Sequence, residues 1–212
     1  MSILRLQANL EHPQPRHISR AVELLRQGST IIYPTDTTYG LGCDINNKRS
    51  IDRIYQLKGL DQKHPLSFIC SDLSQVAQYA SVENKNYRIL RHHVPGEYTF
   101  ILPATREVPK LMQSNARSVG IRIPKSAVCK ALIDELGHPI VSTTVGRPGD
   151  DGAPAYTNNP DDIMRLFGRT VDVFLDVGML YGEPSSVIDL TGPEPKVLRK
   201  GSGDLSWLTS AG

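Results

Sequence analysis

The 212-residue sequence predicts an α/β protein built on a mixed sheet, and three observations carry that prediction. Short β-branched or alternating runs such as "STIIYP", "SVGIRIP" and "PIVSTT" alternate along the chain with amphipathic segments of helical period. Helix start and stop residues punctuate those segments: Asn46 or Asn47, Ser126 with Gly137, and the pair Asn159-Pro160. No repeat and no linker interrupts the alternation, which argues for one domain.

In order, residues 16–27 read as a helix with Ile18, Ala21, Val22, Leu24 and Leu25 apolar and Gly28 as its C-cap. "STIIYP" is a strand that opens into "YPTDTTYGLGC", and a short strand follows at residues 41–45. A helix capped by Asn46 or Asn47 runs to Lys58, and "PLSFIC" is the next strand. Helices at residues 73–79 and 84–92 lead to Pro95-Gly96. "YTFILP" and "SVGIRIP" are strands separated by an irregular segment with a short helical piece. Residues 126–136 form a helix, "PIVSTT" a strand, and "VGRPGDDGAPAYTNN" a long loop. A helix from Asn159-Pro160 to Leu166 and the strands "VDVFLDV", "SVIDL" and "KVLRKG" complete the order.

Charged residues make up 22% of the chain and nearly cancel, leaving a formal net charge of +2, unlike the clearly basic footprint of an obligate nucleic-acid binder. Cys43, Cys70 and Cys129 lie far apart in apolar runs without zinc spacing, which reads as three small core residues in a reducing cytosol. The first fifteen residues lack the apolar core and cleavage pattern of a signal peptide, and no apolar stretch reaches membrane-spanning length. The expectation is a soluble, cytoplasmic protein. P-loop, dinucleotide, nucleophile-elbow and zincin motifs are missing. His92 and His93 are adjacent, a poor spacing for joint metal binding on a helix.

Polar, small-residue segments recur where strands end: "PTDTTYG", "PGEYT", "STTVG" and "EPSSV". Ligands of open α/β sheets gather outside strand ends, so these segments are candidates to converge on one crevice. The first offers Thr35, Asp36, Thr37, Thr38 and Tyr39, either to grip a carboxylate or phosphate or to form an Asx/ST turn. Lys58 either complements the macrodipole at a helix end or serves as a cation for phosphate or bicarbonate. Arg122 alternates with Ile121 and Ile123, so a strand turns it to the opposite face, toward an oxyanion or toward solvent. Ser142 and Thr144 end one apolar strand, Ser185 and Ser186 begin another, and Arg199 stands beside Lys200 and Gly201.

In order and spacing, "YPTDTTYGLGC", "LKGL...HPLSFIC", "PGEYTFIL", "SVGIRIP" and "SSVIDL...VLRKG" resemble the YrdC/YciO family, whose best-understood members are threonylcarbamoyl-AMP synthases. The resemblance covers residues 16–204 as a single YrdC-like domain, leaving 1–15 as an N-terminal extension and 205–212 as a C-terminal tail. It implies an open twisted mixed sheet with flanking helices and a concave ligand-binding face. It implies nucleotidyl transfer in which L-threonine, bicarbonate and ATP, with Mg²⁺, give threonylcarbamoyl-adenylate and pyrophosphate. A partner tRNA-modification protein would then pass the group to an adenosine beside the anticodon.

By the same resemblance Lys58 and Arg122 are the catalytic residues, and Thr35, Thr37 and Tyr39 shape the threonine pocket. Thr99, Ser142, Thr144 and Ser185 are expected to touch substrate, with Arg199 against phosphate. The chain departs from the synthase pattern at three places and there resembles the YciO branch. Leu60 stands where an arginine is usual, Thr144 replaces an asparagine, and Ser186 replaces a threonine. The family also implies an alternative, a protein that binds double-stranded RNA or the ribosome and has lost the reaction. Its candidate contacts are Lys48, Arg49, Arg53, Arg88, Arg91 and Arg117. A third reading is a synthase-like enzyme for a different small acid or amine.

Overall fold

The computed structural model describes residues 2–61, 64, 66–109, 112, 117–146 and 156–209. Its first elements are β1 (Leu4–Gln7), α1 (Pro15–Arg26), β2 (Thr30–Pro34), β3 (Tyr39–Asp44), α2 (Lys48–Lys58) and β4 (Ser67–Ile69). Next come α3 (Leu73–Tyr79), α4 (Asn84–His93), β5 (Tyr98–Pro103), β6 (Ser118–Arg122), α5 (Ala127–Leu136) and β7 (Ile140–Thr144). The chain continues through α6 (Pro160–Phe167), β8 (Val173–Asp176), β9 (Ser186–Asp189), β10 (Lys196–Arg199) and α7 (Ser206–Thr209). The centre of the Gly/Pro/Asp loop, 147–155, and much of the segment between β5 and β6 lie outside the described residues.

Local chemistry sets the helix ends. Asn47 accepts a hydrogen bond from Ser50 N at the start of α2, and Ser126 accepts one from Cys129 N at the start of α5. Gly59 and Gly137 close the same helices in the left-handed conformation, with φ of +60° and +86°. At α1 the cap is Gln27 rather than Gly28, because Gln27 keeps right-handed geometry. Gly28 is the residue after it and makes the left-handed turn at φ +92°, its N–H donating to Leu25 O.

Ten strands form one open sheet in the order β1-β8-β2-β3-β7-β4-β6-β5-β9-β10. It is mixed: β8 runs parallel to β1 and β2, β4 to β6 and β5 to β9, while the remaining pairs are antiparallel. The N-terminal extension contributes the edge strand β1, in register with β8 from Leu4↔Val173 to Gln7↔Asp176. The C-terminal tail contributes α7, whose Trp207 ring lies 4.3 Å from that of His93.

Successive residues of a strand face opposite sides, and here they sort into two cores. Ile32, Leu41, Phe68, Phe100 and Phe174 join α2, α3, α4 and α6 in the larger cluster. Ile31, Tyr33, Ile140, Val173 and Leu175 join α1 and α5 in the smaller one. Cys43 and Cys70 lie in the first and Cys129 in the second, all buried free thiols. Burial holds all three in the neutral form, raising the Cys129 thiol to about 12. The smaller core takes its sheet residues from β8, β2, β4 and β7. Among the described residues it takes none from β5, β6, β9 or β10, and that half of the second face stays open.

Candidate functional site

The open half of the sheet holds a cavity of about 190 Å³. Its residues are the alternate partners of core side chains. Thr99 and Ile101 flank the buried Phe100, Arg122 follows Ile121, Ser67 and Ile69 flank Phe68, and Ser142 follows Val141. Period-two alternation thus places hydroxyls, an arginine and small residues on the second face wherever large apolar residues occupy the first. Two glycines make room. A Cβ on Gly40 would come within 2.8 Å of the Tyr33 ring, and one on Gly120 within 2.6 Å of Ser67 Oγ.

Arg122, nine-tenths buried, forms one wall. Its Nη2 donates to Asp36 Oδ1, to Thr37 Oγ1 at 2.8 Å and to Thr35 Oγ1 at 3.3 Å, while its buried Nε has no partner among the described residues. Arg199 reaches the cavity through a β-bulge. Val197 pairs with Ile188, but Arg199 pairs with Val187, so one extra residue on β10 turns Arg199 to the side of Val187. There Nε and Nη2 of Arg199 donate to Ser185 O at 3.1 and 2.8 Å. Desolvation first, then the charge of Arg122, push its pKa below the ordinary guanidinium value. Two arginines thus border one hydroxyl-lined cavity, an arrangement whose chemistry suits an oxyanion.

The serines are pre-oriented. Tyr33, whose phenol is held neutral by burial, donates to Ser142 Oγ at 2.5 Å and leaves the serine proton available to the cavity. Thr99 Oγ1 and Ser185 Oγ lie 2.9 Å apart, and Arg199 Nη2 donates to Ser185 Oγ at 3.3 Å. Thr144 also borders the cavity.

Four of the sequence candidates have their polar atoms engaged elsewhere, and the first is Thr35, whose Oγ1 donates to Thr38 O at 2.6 Å and accepts from Arg122 Nη2. Tyr39 borders the cavity, but its ring packs edge-on to Phe174 in the larger core. Its hydroxyl donates to Gly178 O at 2.7 Å and accepts from Val177 N. The Thr37 hydroxyl accepts from Arg122. Lys58 ends α2, and its Nζ donates to Thr144 O at 3.0 Å and Gly146 O at 2.5 Å. Burial lowers its pKa to about 8, which keeps it mainly charged at neutral pH and easily deprotonated. Leu60 packs against the larger core.

Sequence reasoning passed over Ser67 and His64, which both border the cavity, and it gave Asp36 no separate role. The signals were faint: Ser67 alternates with buried Leu66 and Phe68, and His64 stands alone in a polar stretch. Desolvation, then the neighbouring charge of Lys58, lower the His64 pKa and favour the neutral imidazole. Among the described residues no cluster of three or more His, Cys, Asp or Glu could hold a metal ion. No helix among them is long and apolar enough to cross a membrane.

The basic residues considered for RNA are carried by separate elements, α2, α4 and, for Arg117, the approach to β6. Arg53 is tied to Asp172 Oδ2 at 2.7 Å and Thr170 O at 2.5 Å. Lys48 and Arg49 sit on α2, which packs on β2 and β3, whereas Arg88 and Arg91 sit on α4, anchored by Asn86 to Leu190 O beyond β9. Five strand positions separate β3 from β9, roughly 24 Å at ordinary strand spacing.

Relatives place this geometry. The chain is 38% identical over 196 residues to YciO of Escherichia coli K12, covering 92% of this chain and 94% of the relative. The crystal structure of E. coli YciO superposes with a TM-score of 0.89, covering 97% and 98% of the two chains at 36% identity. A threonylcarbamoyl-AMP synthase of Nitrosococcus oceani is 33% identical over 156 residues, 73% of this chain and 82% of that one. Sua5 of P. abyssi, crystallised with L-threonine, matches with a TM-score of 0.86 and 25% identity, covering 99% of this chain and 60% of Sua5. A family model covering Sua5, YciO and YrdC proteins, described as telomere recombination, matches residues 23–201. With most of its length matched and an open mixed sheet of the YciO and Sua5 kind, the chain belongs to the Sua5/YciO/YrdC family.

Proposed function

We propose that the protein is of the threonylcarbamoyl-AMP synthase type, joining L-threonine, bicarbonate and ATP for the threonylcarbamoyl-adenosine modification of tRNA. The observation that carries this reading is the convergence of Arg122 and Arg199 on one small hydroxyl-lined cavity. At about 190 Å³ the cavity is smaller than the roughly 300–1,000 Å³ that encloses a drug-sized ligand. It suits an amino acid and a phosphoryl group, with the nucleoside at the open mouth.

The chemistry needs no enzyme nucleophile. The threonine amine forms a bond to the bicarbonate carbon with loss of water. A carbamate oxygen then bonds to the α-phosphorus as its bond to pyrophosphate breaks. Arg122 and Arg199 would stabilise charge growing on the transferred phosphoryl group, and Ser142, Ser185 and Thr99 would orient the substrates. Lys58, with its lowered pKa, would approach the phosphates by exchanging the carbonyls of Thr144 and Gly146 for them. Mg²⁺ fits as an ion carried on the triphosphate, since the described residues gather no carboxylate cage for it. The relative named as a synthase and the threonine complex of Sua5 support the substrate class.

The test is to follow pyrophosphate from the purified protein at high enzyme concentration with ATP, L-threonine and bicarbonate. Release that requires both threonine and bicarbonate is expected. Release indifferent to either, or none at all, would reject the assignment.

A further inference from the structure

The hydroxyl-rich loop between β2 and β3 turns its polar atoms onto an arginine. All three described acceptors of Arg122 are consecutive loop residues, Thr35, Asp36 and Thr37, and all three bind the same nitrogen, Nη2. The loop itself is pinned. Thr35 Oγ1 donates to Thr38 O at 2.6 Å and accepts from Thr37 N at 3.1 Å. The second carboxylate oxygen of Asp36 accepts from Lys125 N at 2.8 Å, just beyond the end of β6 that carries Arg122. Asp36 therefore bridges two chain segments and the guanidinium. Both ion-pair side chains are more than nine-tenths buried.

A guanidinium is planar, and fixing one nitrogen by three acceptors fixes the directions of its other N–H bonds. We infer that Asp36 is a positioning residue, which with Thr35 and Thr37 clamps Arg122 so that its guanidinium, on the cavity wall, is presented to an oxyanion, a carboxylate or phosphate, in the cavity. The role of the threonine hydroxyls changes accordingly. They seat the arginine, and the arginine meets the ligand. The consequence for catalysis rests on the synthase reading above; the clamp does not.

Charge and position make opposite predictions, which renders the inference testable. An Asp36 that acted only through its charge would repel anions, so Asp36→Asn would tighten their binding. A clamp predicts weaker binding, because a neutral amide keeps a hydrogen bond to the guanidinium but loses the ion pair. Two readouts on the full chain decide: calorimetry with inorganic pyrophosphate, and the guanidinium NMR resonances of Arg122, assigned by their loss in Arg122→Lys.

The wild type is expected to show separate Arg122 Nη resonances, reflecting hindered rotation. Asp36→Asn is expected to merge them and weaken pyrophosphate binding at least fivefold, with Asp36→Glu recovering part of both. In the synthase assay kcat should fall by more than KM for threonine rises. Unaltered resonances, with pyrophosphate affinity equal to or tighter than wild type, would overturn the clamp. If the wild type releases no pyrophosphate yet the resonances merge in Asp36→Asn, the clamp stands and the synthase reading fails. Should Asp36→Asn not fold, Thr37→Val removes one acceptor and keeps the carboxylate. It is expected to move both readouts by a smaller factor, and unchanged values there overturn the proposal equally.

Discussion

Two halves of one sheet face have opposite fates. Over β8, β2 and part of β7 the second face carries Ile31, Tyr33, Ile140, Val173 and Leu175 and lies dry beneath α1 and α5. Over β6, β5 and β9 the same pleat carries Arg122, Thr99, Ile101 and Val187 and borders a cavity. The boundary runs along single strands: Ile140 of β7 is core, whereas Ser142, two residues on, is cavity wall. The backbone is equivalent on both sides, so the choice between core and site was made by side-chain size and polarity at alternate positions. A functional face is a core face left uncovered.

The largest expected effect is the one that breaks this division. Most of the open half should tolerate truncation, but Arg122→Ala would strand the buried Asp36 carboxylate and is expected to cost about 3–5 kcal/mol in urea unfolding. A loss under 1 kcal/mol would show that the open half carries no structural charge. On the covered half, fully buried Leu132 makes the matching case. Leu132→Ala should cost about 2–5 kcal/mol while leaving ligand affinity unchanged at temperatures well below unfolding, as measured by calorimetry with threonine and ATP. Across the boundary, Ser142→Ala leaves the fully buried Tyr33 hydroxyl without its acceptor and is expected to cost about 1–3 kcal/mol. Ligand affinity should fall with it, since that serine serves both halves.

The last effect, of the same order as that of Ser142→Ala, is a pH dependence at Lys58. Burial holds its folded pKa at about 8 against an ordinary 10.5. Between these values the unfolded chain binds more protons than the folded one, so stability from this group rises with pH through that window and is lowest below pH 8. Lys58→Met lacks the titration. The stability difference between wild type and variant should therefore shift toward the wild type from pH 8 to pH 10, read from urea midpoints. A constant difference would mean that the bonds to Thr144 O and Gly146 O offset the cost of burial.

Residues whose meaning is local were legible in the sequence. Asn47, Ser126, Gly137 and Asn159-Pro160 announced their helices because capping is decided within four residues. Arg122 announced its side of the sheet through the flanking Ile121 and Ile123, both buried on the first face. The unread features depend on partners far away. β1 is four residues that count as a strand only beside Val173–Asp176. Arg199 is expected against phosphate only through the resemblance, and it is the register shift against β9 that turns it to the cavity. The Thr35 and Thr37 hydroxyls left ligand and turn both open; Thr35 makes the local turn bonds, and both hydroxyls also accept from a residue 85 or more positions on. The Tyr39 hydroxyl goes to Gly178 O and Lys58 Nζ to the carbonyls of Thr144 and Gly146, choices no local pattern encodes.

The placement of β8 between β1 and β2 has a consequence for synthesis. Two strands made at the beginning of the chain have their shared neighbour near its end, at Val173–Asp176. At roughly 5–20 residues per second, β2 would wait about 7–30 s on the ribosome before β8 exists to pair with it. Through that interval Ile31 and Tyr33 have no finished core to enter, and the edge of β2 facing β8 stays unpaired. Long-range pairing of this kind is slow and exposed to misassembly. The hairpin of β2 with β3, available within fifteen residues from Thr30 to Asp44, is the one pairing that can shelter the nascent strand meanwhile.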